Sequence, residues 1–357
     1  MTGKRRKGGI LSDLMIPLIA IGILILFNLI RDPGFFSISL STNNSGNAVL
    51  TGNLISIIDS ASELAIIAMG MTLVTAATGG QDISVGAVGA ITGSIFVQVL
   101  KGGGGITAGT VVLGFLACCL VTVLFTSFNG VLVAFFRIQP MIATLILFSC
   151  GRSIAYWITG SATPQLESPI IKAMGMTIPG IPVPTPIFMV ILVGLLLLLL
   201  FRTSNIRLYT ESVGINQGAS RLNGINPTLI KLLSFIVLGV CVAVAGVIST
   251  CRLGQVSHKT LLIDIEMDAI LAVAIGGTRL GGGRFRLSGS ILGAYIIQML
   301  TTTLYAMSVA PANVKAYKAI VIILIVVAGS PVIKTAFSSL WHRLKNNRAG
   351  AAGREVN

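Results

Sequence analysis

Apolar residues occur along this chain in long runs, such as Leu14 to Ile30, Ile187 to Phe201 and Ala319 to Gly329, separated by short polar or glycine-rich breaks. Together with their flanks these runs approach the roughly 20 apolar residues that a helix needs to cross the hydrocarbon core of a bilayer. Counted by hydropathy, they predict ten helices, near residues 13–31, 60–78, 84–100, 106–128, 140–160, 186–201, 232–250, 264–276, 287–305 and 315–333. The expected fold is therefore an all-α polytopic membrane bundle. It forms a single transmembrane domain over residues 13–333, flanked by a basic segment 1–12 and a basic tail 334–357. The first run follows "KRRK" but is long, lacks an A-x-A cleavage site and precedes many further spans, so it reads as a retained helix and not a signal peptide.

Composition agrees. Of the 357 residues, 54% are hydrophobic and only 10% charged, against roughly a quarter charged in soluble domains, and mean hydropathy is +0.92. The formal charge of +14 raises the question of nucleic acid, but in a membrane protein basic residues mark cytoplasmic loops. An even number of spans puts both ends on one side. With that side cytoplasmic, seventeen of the 25 Lys and Arg residues fall inside and eight outside, which accounts for the surplus by topology and leaves no call on nucleic acid. Five cysteines without C-x-x-C spacing and two histidines indicate neither a disulfide framework nor a metal site.

Two outer segments, 41–53 and 162–186, are rich in Asn, Ser, Gly and Pro, as solvated loops are. One inner segment, 202–231, is longer and more patterned, with a short helix expected from Gln217 to Leu222 and stop signals in Gly224 and Pro227. A compact helix on a cytoplasmic loop has the character of a docking surface.

The stretch "TGGQDISVGAVGAITG", 78–93, interrupts the apolar pattern. In hydrocarbon, non-helical backbone survives only when buried in protein or lining water. Gly79 and Gly80 can turn the chain there, and Gln81 and Asp82 can cap the helix that follows. A second break, "IGGTRLGGGRFRLSGSILGA" at 275–294, has the same order of helix, Gly276-Gly277, polar residues and helix. Each is followed by a small-xxx-small pair, Gly89 with Gly93 and Gly289 with Gly293, which permits close helix approach. Interrupted helices in comparable places point to a translocation path; tight turns with glycines serving packing alone are the other reading.

Glu63, Asp82 and Asp268 are the acids nearest membrane depth, where a charge is costly and functional by default; each also lies close to an expected helix start, where it could simply cap. Thr72, Asn129, Thr144, Arg152 and Gln298, with Ser84 at the first break, could hydrogen-bond sugar hydroxyls or tie helices together. The runs 102–105 and 281–283 lack the Lys of a phosphate-binding G-x-x-x-x-G-K-[ST] loop. No Ser/His/Asp, Cys/His or H-E-x-x-H arrangement has workable spacing. The chain is thus expected not to be an enzyme, with no ATPase site, cofactor or metal of its own.

Four stretches carry a family likeness: "GMTLVTAATGGQDISVGAVGAITG" (70–93), "NGVLVAFFRIQPMIATL" (129–145), "ESVGINQGASRLNGI" (211–225) and "DAILAVAIGGTRLGGGRFRLSGSILGA" (268–294). Over roughly residues 55–335 the chain resembles the sugar permeases of ABC importers of the ribose, xylose and galactose type, with wording nearest that of galactofuranose permeases. The resemblance implies a multi-pass subunit of the bacterial inner membrane that pairs with a second permease chain, identical or paralogous. It also implies a sugar handed over by a periplasmic binding protein and an ATP-binding subunit that holds ATP and Mg. It maps a coupling helix onto Asn216 to Gly224, with Glu211, Asn216, Gln217, Ser220, Arg221 and Gly224 as coupling residues. Translocation-path candidates are Gln81, Asp82, Ser84, Asn129, Thr144 and Gln298. Three departures stand out: Gln217-Gly218 early in the coupling helix, Gln81 after the first Gly-Gly, and Phe285 near the second break. Aromatic residues are only 6% of the chain, sparse for a tight carbohydrate site and in keeping with a low-affinity conduit. A proton-coupled sugar transporter using Glu63, Asp82 or Asp268, and a membrane scaffold without transport, are the competing readings.

Overall fold

The computed structural model describes residues 9–42 and 48–329. Residues 1–8 of the basic N-terminal segment and the whole tail 334–357 lie outside the described residues, and residues 9–12 already belong to the first helix.

The expected segments are helical. They are α1 (Gly9–Arg31), α2 (Asn53–Thr78), α3 (Val85–Gly102), α4 (Ala108–Ala134), α5 (Pro140–Ile158), α7 (Thr185–Thr203), α10 (Pro227–Leu253), α11 (Ile265–Ile275), α12 (Leu287–Ala306) and α13 (Pro311–Gly329). Seven of these, α2, α3, α4, α5, α7, α10 and α12, are each long and apolar enough to cross a membrane. The two loop segments rich in Asn, Ser, Gly and Pro carry more regular structure than their composition suggests. A hairpin of β1 (Ser39–Thr42) and β2 (Ala48–Thr51) occupies the first, and α6 (Pro169–Gly175) lies in the second. Segment 202–231 contains the expected helix, α9 (Gln217–Leu222), preceded by α8 (Ile206–Ile215), which the sequence reading did not separate from loop.

Burial sorts the helices into a centre and a perimeter. In the apolar windows of α3 and α10, 72% of residues are buried, and 67% in α2, against 28% in α4 and α5 and 22% in α7. The mid-helix positions that α4 turns outward are Val112, Leu113, Leu116, Leu120, Leu124 and Phe128, and α7 shows Ile191, Leu192, Leu195, Leu196, Leu198 and Leu199. Faces this uniformly apolar suit contact with lipid tails, not water. The centre is sealed by Phe96, Val97 and Leu100 of α3, Cys118 of α4, Val247 and Cys251 of α10, and Val256, Leu261 and Leu262 of the segment after α10.

That segment changes the picture of the eighth expected span. At 11 residues, α11 is about 16 Å long at 1.5 Å per residue, half the thickness of the hydrocarbon core. Residues 254–264, which precede α11, are irregular backbone lying along α3. Val256 and Leu261 pack at Gly93, Leu262 at Gly89, and the Leu262 carbonyl with the Glu266 side chain at Gly86. The path is tight enough that Leu262 and Asp264 take positive φ, 49° and 60°. Arg152 of α5 makes this conformation tenable inside the bundle. Its guanidinium donates to the carbonyls of His258 (2.9 Å), Leu261 (3.1 Å) and Leu262 (3.3 Å), satisfying backbone that no helix pairs.

Residues up to Thr303 form one compact unit and those from Leu304 a second. Within the second, α13 is a single apolar helix with Lys315 and Lys318 in its first half.

Candidate functional site

The two glycine breaks, some 200 residues apart in sequence, are in contact. Gly79 ends α2 in the left-handed conformation, φ 69°, its N–H donating to Thr75 O at 3.0 Å. This is the usual glycine stop, open to a residue without a Cβ. A side chain at Gly79 would lie 2.9 Å from the carbonyl oxygen of Gly281, and one at Gly282 would lie 3.1 Å from Gly79 Cα. The Gly283 N–H donates to Ala76 O (2.9 Å), and Gln81 Nε2 donates to Leu280 O (3.1 Å). Beside them Gly80 abuts Pro140, the first residue of α5. The two motifs therefore form one interlocked knot of backbone.

Gln81 and Asp82 do not cap α3 as expected. Gln81 reaches across to the second break, and the N-cap of α3 is Ser84, whose side chain caps no amide. Asp82 instead organises a buried polar network. Fully buried, it accepts from Ser84 N–H (2.7 Å) and Ser84 Oγ–H (2.6 Å) through Oδ1. Asn129 of α4 donates Nδ2–H to Ser84 Oγ (3.0 Å), and Thr144 Oγ1 of α5 accepts from Ile83 N–H (3.2 Å). Four translocation-path candidates, Asp82, Ser84, Asn129 and Thr144, thus come together, and their bonds tie the first break to α4 and α5. Asp82 Oδ2 and Asn129 Oδ1 are buried and have no partner. Gln298, half-exposed on α12, stands outside the network. Thr72 belongs with the tying groups, donating to Ser290 Oγ of α12 at 2.7 Å. Glu63, inside α2, is paired with Arg252 of α10 (3.4 Å), which also holds Asp59 (3.1 Å). Asp268 lies in the first turn of α11.

The two small-xxx-small pairs serve different ends. Gly289 and Gly293 of α12 do bring a helix close, meeting the backbone of Gly276 and Ala272 at the end of α11. Gly89 and Gly93 of α3 receive the side chains of Leu262 and Leu261 from the irregular segment, and they also admit α10, whose Thr250 side chain lies against Gly93 and whose Gly246 lies against Thr92 and the Gly89 carbonyl. Gly277, like Gly79, is left-handed, with φ 81°.

Beneath the knot sits the α8–α9 pair. Asn216 caps α9, its Oδ1 accepting from Ala219 N–H at 3.0 Å, and Ser220 turns inward and donates to Asn216 O at 2.9 Å. Gly224 closes the pair with φ 76°. Gln217, Gly218 and Arg221 face outward together with Ile215 and Leu222, the latter 91% exposed. Glu211 faces the other way: its Oε1 accepts from Phe285 N–H of the second break (3.2 Å) and lies 3.8 Å from Arg207. The Phe285 ring stands edge-on to Phe201 and beneath the Arg207 guanidinium. Sequence reasoning missed Gly214, which touches Ala76 in the last turn of α2 and Gly283 of the second break, and gave the Gly281–Gly283 run no packing role of its own within that break. Three successive glycines were the available signal for close backbone approach.

Comparison with known proteins sets this geometry in context. The profile of the family described as "Branched-chain amino acid transport system / permease component" matches residues 53–328. A galactofuranose transporter permease of Escherichia coli (strain K12) is 35% identical over 319 residues, 88% of this chain and 88% of that one. A fructose import permease of Bifidobacterium longum is 36% identical over 345 residues, 95% of this chain and 92% of that one. A ribose import permease of Escherichia coli (strain K12) is 32% identical over 313 residues, 87% and 91% of the two chains. No solved structure matches the chain. A multi-pass bundle of apolar helices, two glycine breaks and the profile match over residues 53–328 make this chain a member of that family of transport-system permease components.

Proposed function

We propose that this chain is the membrane-spanning subunit of an ATP-driven importer that carries a monosaccharide across the bacterial inner membrane. The carrying observation is that the exposed helical pair α8–α9 rests on the last turn of α2, where the first break begins, and on the second break. A partner that grips its outward face, Ile215, Gln217, Arg221 and Leu222, holds a lever on those breaks. The partner is an ATP-binding subunit, which supplies the ATP and Mg that this chain has no motif to hold. Glu211, Asn216, Ser220 and Gly224 shape the docking pair from within. A periplasmic binding protein delivers the sugar to the outer face, and a second permease chain completes the conduit.

The sugar assignment, in preference to the branched-chain amino acid of the family description, follows the relatives, three of which are named for galactofuranose, fructose and ribose. The proton-coupled reading has no counterpart among them. The acids it would need are engaged elsewhere, Glu63 by Arg252 and Asp82 by Ser84. The test is reconstitution of the permease with its ATP-binding subunit and binding protein in proteoliposomes. ATP-dependent uptake of labelled galactofuranose, fructose or ribose that persists with a protonophore is the expected result. Uptake without ATP, uptake abolished by the protonophore, or uptake of leucine in place of sugar would overturn the assignment.

A further inference from the structure

We propose that Gly214 is the point at which movement of the docking pair is passed to the two helix breaks, a role resting on the importer reading above. Ala76 O is one of the last four carbonyls of α2, the groups a helix leaves without intrahelical partners. The N–H that would normally close on it, that of Gly80, is engaged with Thr78 Oγ1 (3.2 Å). The second break fills the gap, Gly283 N–H donating to Ala76 O at 2.9 Å. Gly214 lies directly over this bond. A Cβ there would stand 3.0 Å from Gly283 Cα and would overlap both bonded atoms, Ala76 O and Gly283 N. The contact at Gly214 is therefore backbone on backbone, and it is the point where α8 meets α2 and the second break at once.

That arrangement suits transmission. A contact through long side chains absorbs small displacements by rotamer changes, whereas close-packed main chain has no such slack and passes movement on. Further contacts keep the seat in register. Glu211 Oε1 accepts from Phe285 N–H (3.2 Å) one turn away, and Ile215 packs on Gly283, whose φ of 77° is open chiefly to glycine. The α9 helix bears the outward face of the pair, whereas α8 lies on the breaks. A pull on the pair thus moves the end of α2 and the start of the segment leading to α12 together.

The experiment uses the complete complex in proteoliposomes and reads sugar transported per ATP hydrolysed, with labelled ribose, fructose or galactofuranose, whichever the wild type carries. Gly214→Ala, which lifts α8 off the knot while leaving its outward face unchanged, should keep partner binding and hold ATP hydrolysis within about twofold while transport falls about tenfold, the range of ordinary coupling between sites. Glu211→Leu, which removes the acceptor for Phe285 N–H, should lower the ratio several-fold in the same sense, and Glu211→Gln, which keeps an oxygen there, should restore it. If Gly214→Ala does not fold, the two Glu211 variants decide. An unchanged ratio in Gly214→Ala, or in Glu211→Leu where that pair must decide, overturns the relay, and so does loss of partner binding in Gly214→Ala, which would make Gly214 part of the docking face. A wild-type complex that neither assembles nor transports would instead refute the importer reading itself.

Discussion

The different surroundings of Gly89 and Gly293, alike in sequence, give a sharp prediction. A methyl group at Gly293 would sit 2.8 Å from the carbonyl carbon of Ala272 and closer still to its oxygen, against the 3.4 Å at which ordinary van der Waals contact begins. Those atoms belong to the main chain of α11, so relief requires α12 and α11 to separate. Overpacking that forces backbone to move costs about 1–3 kcal/mol, and the upper half of that range applies because α11 is pinned on its other side by α2. At Gly89 a methyl group overlaps only the tip of the Leu262 side chain, its next nearest neighbour being 3.7 Å away, so a rotamer change relieves it for about 1 kcal/mol or less. Thermal unfolding of the purified permease in mild detergent should therefore show Gly293→Ala losing about 1–2 kcal/mol more than Gly89→Ala. Transport should fall in the same order. Equal losses, or a larger loss at Gly89, would refute the distinction between main-chain and side-chain contact.

Three further outcomes follow from the site. Asp82→Asn keeps an oxygen for both Ser84 bonds, so its stability should stay within about 1 kcal/mol of wild type, while Asp82→Leu strands two buried donors at about 1–3 kcal/mol each; equal melting temperatures for the two variants would refute this. Arg152→Ala should free the carbonyls of His258, Leu261 and Leu262 and cost about 3 kcal/mol, with Arg152→Lys rescuing only in part because an ammonium lacks the planar fork; full rescue by Lys would count against it. Asn216→Ala removes the α9 cap, worth about 1 kcal/mol, and should weaken pull-down of the ATP-binding subunit without shifting the unfolding of the bundle, whereas unchanged pull-down would separate α9 from docking.

Much of the architecture was legible because bilayer physics writes it into composition. Each long apolar run became a helix, and the expected Gln217–Leu222 helix is α9, bounded by the Asn216 cap and the left-handed Gly224. What was not legible depends on depth. The segment around 264–276 looks like a complete span because a hydropathy window averages composition and cannot see that Leu261 and Leu262 enter the bundle as irregular chain. Arg152 gave a hint, since a charge among apolar residues must find partners, but its partners are carbonyls, and carbonyls carry no sequence signature.

The breaks show the same limit from the other side. Their shared order of helix, Gly-Gly, polar residues and helix is a local property and was readable in each alone, whereas their contact is set by the packing of α2 against α11 across the bundle. Once they meet, the excess of glycine has a physical explanation that neither motif supplies by itself. Gly79, Gly214, Gly282 and Gly283 come from three separate stretches of chain and converge; main chain alone excludes a Cβ at Gly79 and Gly214, and the positive φ of Gly282 and Gly283, 86° and 77°, favours glycine there. A turn needs one or two glycines, and the further two exist because each break is the other's packing partner. Gly214 belongs to the same set although its own helix needs no turn there, which is why its neighbourhood, and not its local sequence, gives it a role.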